Sequence, residues 1–224
     1  LAIGRIKLHH EWNIRDAKVE FKKAIAINPN DPEILVQLAF CANLTGRNEK
    51  AMEYANKAIG LDPLSLMNVF MASIGSFYRG DFNYHFENAK RLIELAPDFY
   101  GGYSILGENY LGAGQYEEAL ENFKIAANLL EDNYNVSYVG YVYGIMGDHD
   151  KAREIIAKLK KMDGIVLFRN HSIGHVYKAL GELDTAFEYF NKAAENREEI
   201  MLWFKLNHPD LLEDQRAAEI LETI

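Results

Sequence analysis

Between residues 103 and 126 the apolar positions recur at spacings of three and four, the signature of two amphipathic helices. Tyr103, Leu106, Gly107 and Tyr110 share one helical stripe, and Ala119, Phe123 and Ala126 share a second. Gly114 falls between the stripes, with Tyr116 opening the second. The motif recurs along the chain. Gly46, Gly80, Gly114, Gly147 and Gly181 stand 34, 34, 33 and 34 residues apart, and Pro29, Pro63 and Pro97 keep a spacing of 34. A fixed period of this size predicts stacked helix pairs, because one such pair cannot bury its apolar face alone.

Each position has a physical reason. Small residues such as Gly107 and Ala119 let the two helices of a unit approach to about 8–10 Å. Large rings such as Tyr110 and Phe123 fill the space around that contact. Gly114 suits the left-handed end of a helix, and Pro63 stops the following one. Asp31-Pro32-Glu33 reads as an N-cap, a proline at the first helical position and an acid in the first turn. The second unit carries Leu35, Leu38, Ala39, Ala51, Ala55 and Ala58, and the third carries Val69, Ala72, Ser73, Ala89 and Leu92. In the third unit His85 stands where the others place a small alanine. The fifth carries Val139, Gly140, Tyr143, Ala152 and Ile156, and the sixth Ile173, Gly174, Tyr177, Ala186, Phe190 and Ala193. The first keeps only Ala17, Phe21, Ala24 and Pro29, so its first helix reads as truncated or divergent.

The Leu-Gly, Tyr, Ala and Phe pattern, clearest in the fourth and sixth units, resembles the tetratricopeptide repeat. The expected fold is all-α, a right-handed superhelix (solenoid) of about six helix-turn-helix units. Their bounds are 1–30, 31–63, 64–97, 98–131, 132–164 and 165–198, with a helical cap over 199–224. Leading into and through the cap, Arg197 to Leu206 reads as a helix, Asn207-His208-Pro209-Asp210 as a break and Gln215 to Leu221 as a terminal helix. A narrower likeness lies in Leu8-His9-His10-Glu11-Trp12, in Ala186-Phe187-Glu188 with Asn196-Arg197, and in Leu206 to Leu212. These are similar to the C-terminal repeat regions of bacterial regulators with an N-terminal winged-helix or nucleotide-cyclase domain. Leu1 to Ile6 reads as the middle of a helix, so the chain is expected to be part of a longer protein.

The resemblance implies a protein-interaction module whose first helices line a concave groove. By register that groove holds Val36, Phe40 and Asn43, then Phe70, Ile74, Phe77 and Tyr78. It continues through Ser104, Glu108 and Leu111, Tyr134, Ser137 and Tyr141, and ends with Phe168, His171, His175 and Lys178. Such an aromatic surface fits a peptide or helix laid along it. Relatives that grip a chaperone tail use Lys, Asn and Arg at these positions. Val36, Phe40, Phe70 and Ile74 stand there instead, so that carboxylate clamp is not expected.

Charge narrows the partner. A formal net charge of −9 argues against direct nucleic-acid binding, which needs clustered Lys and Arg. No run nears the roughly 18 apolar residues of a membrane span. The expected site is cytoplasmic. Cys41 is the single cysteine, so it has no internal disulfide partner, and it reads as buried rather than nucleophilic. His171 and His175 have the i, i+4 spacing of paired metal ligands, but the intervening Ser172-Ile173-Gly174 lacks the glutamate of a zinc-protease helix. Asp148, His149 and Asp150 read as capping residues, and His9-His10-Glu11 as a solvated helix end. The sequence thus predicts no enzyme, no cofactor and no resident metal. The alternatives are a small-molecule or metal sensor near Tyr141, Phe168, His171 and His175, or a self-association module forming a homodimer through its N-terminal end.

The register carries a direct test. Ala119→Leu should destabilise the fold by about 1–3 kcal/mol through overpacking, measured by urea unfolding. A neutral result would remove Ala119 from the helix–helix contact.

Overall fold

A computed structural model describes residues 1–162 and 168–224. The expected boundary between the fifth and sixth units, at 164/165, lies outside the described residues. Secondary structure among the described residues is all helical. In chain order the elements are α1 (Ala2–Arg5), a π-helical turn (Ile6–His10), α2 (Ile14–Ile27), α3 (Pro32–Leu44), α4 (Asn48–Leu61), α5 (Leu66–Arg79) and α6 (Phe82–Leu95). Then come α7 (Tyr100–Gly112), α8 (Tyr116–Leu129), α9 (Asn133–Ile145), α10 (His149–Lys161), α11 (Arg169–Ala179) and α12 (Leu183–Glu195). The C-terminal part comprises a 3-10 turn (Glu199–Trp203), α13 (Phe204–Asn207), a second 3-10 turn (Pro209–Leu211) and α14 (Gln215–Thr223). Contacts divide the chain into two compact units, 1–105 and 106–224, with the division inside α7.

Local chemistry sets the helix ends. Asp31 Oδ1 accepts from the backbone N–H groups of Glu33 and Ile34, at 3.0 and 3.2 Å, as its N-cap reading predicts. Asp81, Asp132 and Asp148 cap α6, α9 and α10 in the same way. The five inter-helix glycines all have positive φ, between 67° and 81°. A Cβ on any of them would meet nothing within 4 Å, so it is the left-handed backbone rather than space that calls for glycine there.

In the first unit, the core gathers Leu8, Ala17, Phe21, Ile34, Leu38 and Cys41, with Ala39, Ala55 and Ala72 closing the next layers. The side chains of Lys57 and Arg91 donate to the carbonyls of Pro29 and Pro63, at 2.9 and 2.7 Å, linking each second helix to the turn one repeat earlier. In the second unit, Ala119, Phe123, Val139 and Val142 form one cluster, and Val136, Ala152, Ile156, Leu159, Ile173 and Val176 the next. The repeat's tight contact is visible at three places. An added Cβ would come within 2.6 Å of Phe123 at Gly107, 2.8 Å of Phe190 at Gly174 and 2.4 Å of Phe21 at Gly4.

The third of these revises the reading of the first repeat. Its first helix is present, as α1 and the π turn. Five repeats separate the small residue from the left-handed position by seven residues, as in Gly107 to Gly114. From Gly4 to Trp12 the separation is eight, and Trp12 holds the left-handed conformation at φ 55°. The π turn absorbs the extra residue, with Glu11 N–H donating to Ile6 O at 3.1 Å across five positions. A one-residue insertion and a tryptophan in place of glycine made this repeat read as divergent.

His85 has a physical partner. Where other repeats pair two small residues, as in Ala39 with Ala51, the third pairs Ser73 with His85. Ser73 Oγ lies 2.7 Å from His85 Nδ1, and both residues are buried. A larger side chain is accommodated because its polar atom has a hydrogen-bonding neighbour in the facing helix.

The C-terminal part differs from its expectation. Arg197 takes φ 51°, and the chain continues as 3-10 turn and short α-helix rather than one helix to Leu206. Met201, Phe204, Ala217 and Ile220 are fully buried there, and the rings of Phe204 and Phe190 meet edge-on at 5.3 Å.

The Ser73–His85 pair can be tested by a double-mutant cycle. His85→Ala should cost about 2–4 kcal/mol, from a cavity and an unpaired buried hydroxyl. Adding Ser73→Ala recreates the Ala39–Ala51 pairing and should recover about 0.5–3 kcal/mol of coupling. Simple additivity in urea unfolding would show that the two side chains act independently.

Candidate interaction surface

The predicted groove residues fall into three groups. On α3 and α5 in the first unit, Phe40, Phe70, Ile74, Phe77 and Tyr78 are all half-buried, set outside the packed Leu35, Leu38, Val69 and Ala72. Phe40 lies 5.9 Å from the ring of His9, and Phe70 meets Phe99 edge-on at 6.1 Å. Phe77 touches Tyr78, Phe82 and His85, with ring centroids at 5.4, 5.9 and 5.1 Å. The Tyr78 carbonyl accepts from the Asn48 amide at 2.8 Å. His9 and Phe99 were missed by register because one lies on the π turn and the other precedes its helix.

A second group sits on α7, α9 and α11 in the other unit. The Tyr134 hydroxyl donates to Glu108 Oε1 at 3.3 Å and lies 3.3 Å from the Tyr138 hydroxyl. Tyr141 stacks on His175 at 4.1 Å, with 17° between the rings. Burial raises both the Tyr138 and Tyr141 phenols above their ordinary value, with nearby carboxylates adding to the shift. Leu111 packs beside the Ala119–Phe123 cluster. Lys178 Nζ donates to Asp210 Oδ1 at 2.7 Å. Phe168 stands at the N-cap of α11 and lines a cavity of about 460 Å³ with Arg169, Asn170, Asn196, Arg197, Glu198 and Glu199.

The third group is buried, so these residues do not line an open surface. Val36 packs on Ala58 and Met71 between helices. Asn43 is fully buried because Gly75 lets α5 come close: a Cβ on Gly75 would stand 3.7 Å from the Asn43 amide and 3.0 Å from Met52 Sδ. Ser104 and Ser137 are buried, their hydroxyls donating to the carbonyls of Tyr100 and Tyr134 at 3.3 and 2.7 Å. His171 and His175 are 3% and 8% exposed. Both face His208, whose Nε2 lies 3.0 Å from His171 Nε2. His208 follows His175 by 33 residues, close to the repeat period, and this was the signal that could have placed it.

Candidate chemistry elsewhere resolves into packing. Among the described residues, no group of three or more His, Cys, Asp or Glu side chains is arranged to hold a metal ion. Cys41 is fully buried, and desolvation pushes its thiol up to about 12. Asp148 caps α10 and pairs with Lys151 at 2.5 Å. No helix among the described residues is long and apolar enough to cross a membrane.

These features define a helical-repeat scaffold of the protein-interaction class. Residues 10–68 and 170–199 each match a tetratricopeptide repeat family model, so the chain carries tetratricopeptide repeats over these stretches. It is similar to a thermophilic TPR protein of Thermus thermophilus, with TM-score 0.63 and 23% identity over 85% of this chain and 99% of that one. A tetratricopeptide repeat protein from Parabacteroides merdae gives TM-score 0.69 at 16% identity, over 87% of this chain and 76% of the other. In sequence it is 24% identical over 175 residues to anaphase-promoting complex subunit 3 of Schizosaccharomyces pombe, covering 72% of this chain and 26% of that protein. The chain thus spans only about a quarter of that relative's length.

Cys41 offers a check on this packing. A disulfide reagent at pH 8 should modify the folded chain at least about a hundredfold more slowly than the chain in urea. Equal rates would mean that α3 is not sealed against its neighbours.

Proposed function

We propose that the chain is the interaction arm of a larger bacterial regulatory protein, and that it binds a peptide or helix through the aromatic face of α3 and α5. One observation carries the reading. After the core of the first unit is complete, Phe40, Phe70, Ile74, Phe77 and Tyr78 remain partly open on two first helices. Partly open aromatic rings supply large contact area at low entropic cost, which is why they dominate binding energy in interfaces. The two second helices α4 and α6 expose charged side chains along their length, Glu53, Lys57, Glu87 and Lys90, with exposed apolar residues, Leu61, Phe82 and Leu95, at their ends. Glu108, Tyr134, Tyr141, Phe168 and Lys178 form a second, more polar candidate face on the other unit. The likeness to the repeat regions of bacterial regulators supports the regulatory context. So does the match to a relative whose name makes it one subunit of a complex.

Site-specific photocrosslinking tests the reading. A benzophenone side chain at Ile74 should capture a defined partner from lysate, and the same group at Glu53 should not. Phe40→Ala or Phe70→Ala should then weaken that partner's affinity by at least about tenfold, with helix content unchanged by circular dichroism. Equal capture from both positions, or unchanged affinity in both variants, would remove this face from the binding function.

A further inference from the structure

The second unit buries three histidines that the interaction surface does not use. His171 and His175 stand on α11, and His208 lies between α13 and the following 3-10 turn. Their ring centroids are 6.0 Å apart for His171 and His175, 5.2 Å for His171 and His208 and 5.8 Å for His175 and His208. Apolar rings wall the group, with Phe190 4.7 Å and Phe204 5.0 Å from His208. On α9, Tyr138 and Tyr141 lie 5.0 and 4.1 Å from His175.

The hydrogen bonds determine which nitrogens carry protons. Lys178 Nζ lies 3.4 Å from His208 Nδ1 and donates to Asp210. An ammonium only donates, so His208 Nδ1 must accept and its proton sits on Nε2. That Nε2–H donates to His171 Nε2 at 3.0 Å, which leaves the His171 proton on Nδ1. A proton added to His171 would set two N–H groups against each other, or drive the His208 proton onto Nδ1, where it faces the Lys178 ammonium. A proton added to His208 would face the Lys178 ammonium. The network therefore exists only with these two rings neutral.

Charged groups nearby give no rescue. Lys178 is the cation closest to the cluster and repels a second positive charge. Asp210 is engaged by Lys178, and its side chain is half exposed. Glu198 spends its carboxylate on α11, accepting from the N–H groups of Asn170 and His171 at 2.9 and 3.0 Å. Glu108 lies behind Tyr134 and Tyr138. Arg216 is committed to Asp184 and Asp214 and stacks on the Phe187 ring.

We propose that residues 198–212 form an acid-labile clasp: neutral His171 and His208 hold the C-terminal segment on the last repeat, and mild acid releases it. Burial agrees with the geometry. Desolvation lowers His171 to about 3 and holds His175 and His208 well below the ordinary histidine value. The sign follows. In the open state these rings titrate near 6.5, so below that pH the open form binds protons that the closed form refuses. Closure is complete above about 6.5 and weakens as pH falls from there toward about 3, the range set by His171. Release would uncover Phe190 and the inner face of α11, a surface absent at neutral pH.

Hydrogen exchange read by mass spectrometry tests the clasp, after correction for the intrinsic pH dependence of exchange. From pH 7.5 to 5.5, a window above the carboxylate range, the opening constant of the 199–211 peptide should rise about tenfold for each histidine that protonates on opening. The α8 peptide should hold its protection over the same range. His208→Gln keeps a donor and an acceptor but cannot titrate, so its opening constant should rise about tenfold less than the wild type's. His171→Asn, measured identically, serves if the first variant does not fold. A flat wild-type profile, parallel loosening of α8, or an unchanged slope in the folded variant would overturn the proposal.

Discussion

The structure depends on how closely two helices of one repeat can approach. At Gly4, Gly107 and Gly174 the missing Cβ is the space occupied by the edge of Phe21, Phe123 or Phe190. Every other regularity follows from that contact. The alanines at 17, 119 and 186 keep the facing helix equally slim, and each is fully buried. Glycines in the left-handed conformation turn the chain so that the second helix returns onto the first. Because one helix pair covers only one of its faces, each repeat needs its neighbour, and stability accrues between adjacent repeats.

Departures from the pattern are compensated locally, and each compensation is a different piece of chemistry. Ser73 and His85 replace two small residues with a buried hydrogen-bonded pair. The first repeat carries one residue too many and absorbs it in a π turn, leaving Trp12 in a conformation that other repeats give to glycine. That turn also brings His9 beside Phe40, at the edge of the aromatic face. Irregularity and candidate function therefore meet on the same surface.

The C-terminal segment solves a different problem. A stacked array ends in an open apolar face, here that of Phe187 and Phe190, and something must cover it. Phe204 and Ile220 contribute the apolar part of that cover, and Arg216 stacks on Phe187 at 4.1 Å. The histidine network adds a polar core to an otherwise greasy contact. The bond from His208 Nε2–H to His171 Nε2 forms with both rings neutral, which makes that arrangement conditional on protonation.

By itself, the sequence determined the repeat. Glycine and proline spacing, the Asp31 cap and the small-residue register are local or periodic properties, each tied to its neighbours by covalent distance. Helix pairs, turn glycines and the burial of Ala119, Phe123 and Cys41 were legible for that reason. The accessibility of side chains was decided only by tertiary structure. Helical register puts Phe40 and Asn43 on adjoining parts of one helix, yet Gly75 on the next repeat draws α5 onto Asn43 while Phe40 stays partly open. Likewise His171 and His175 read as groove residues until the distant His208 covers them. Register says which way a side chain leaves its own helix. What it meets there depends on the residue sizes of a neighbouring repeat, about 34 residues away.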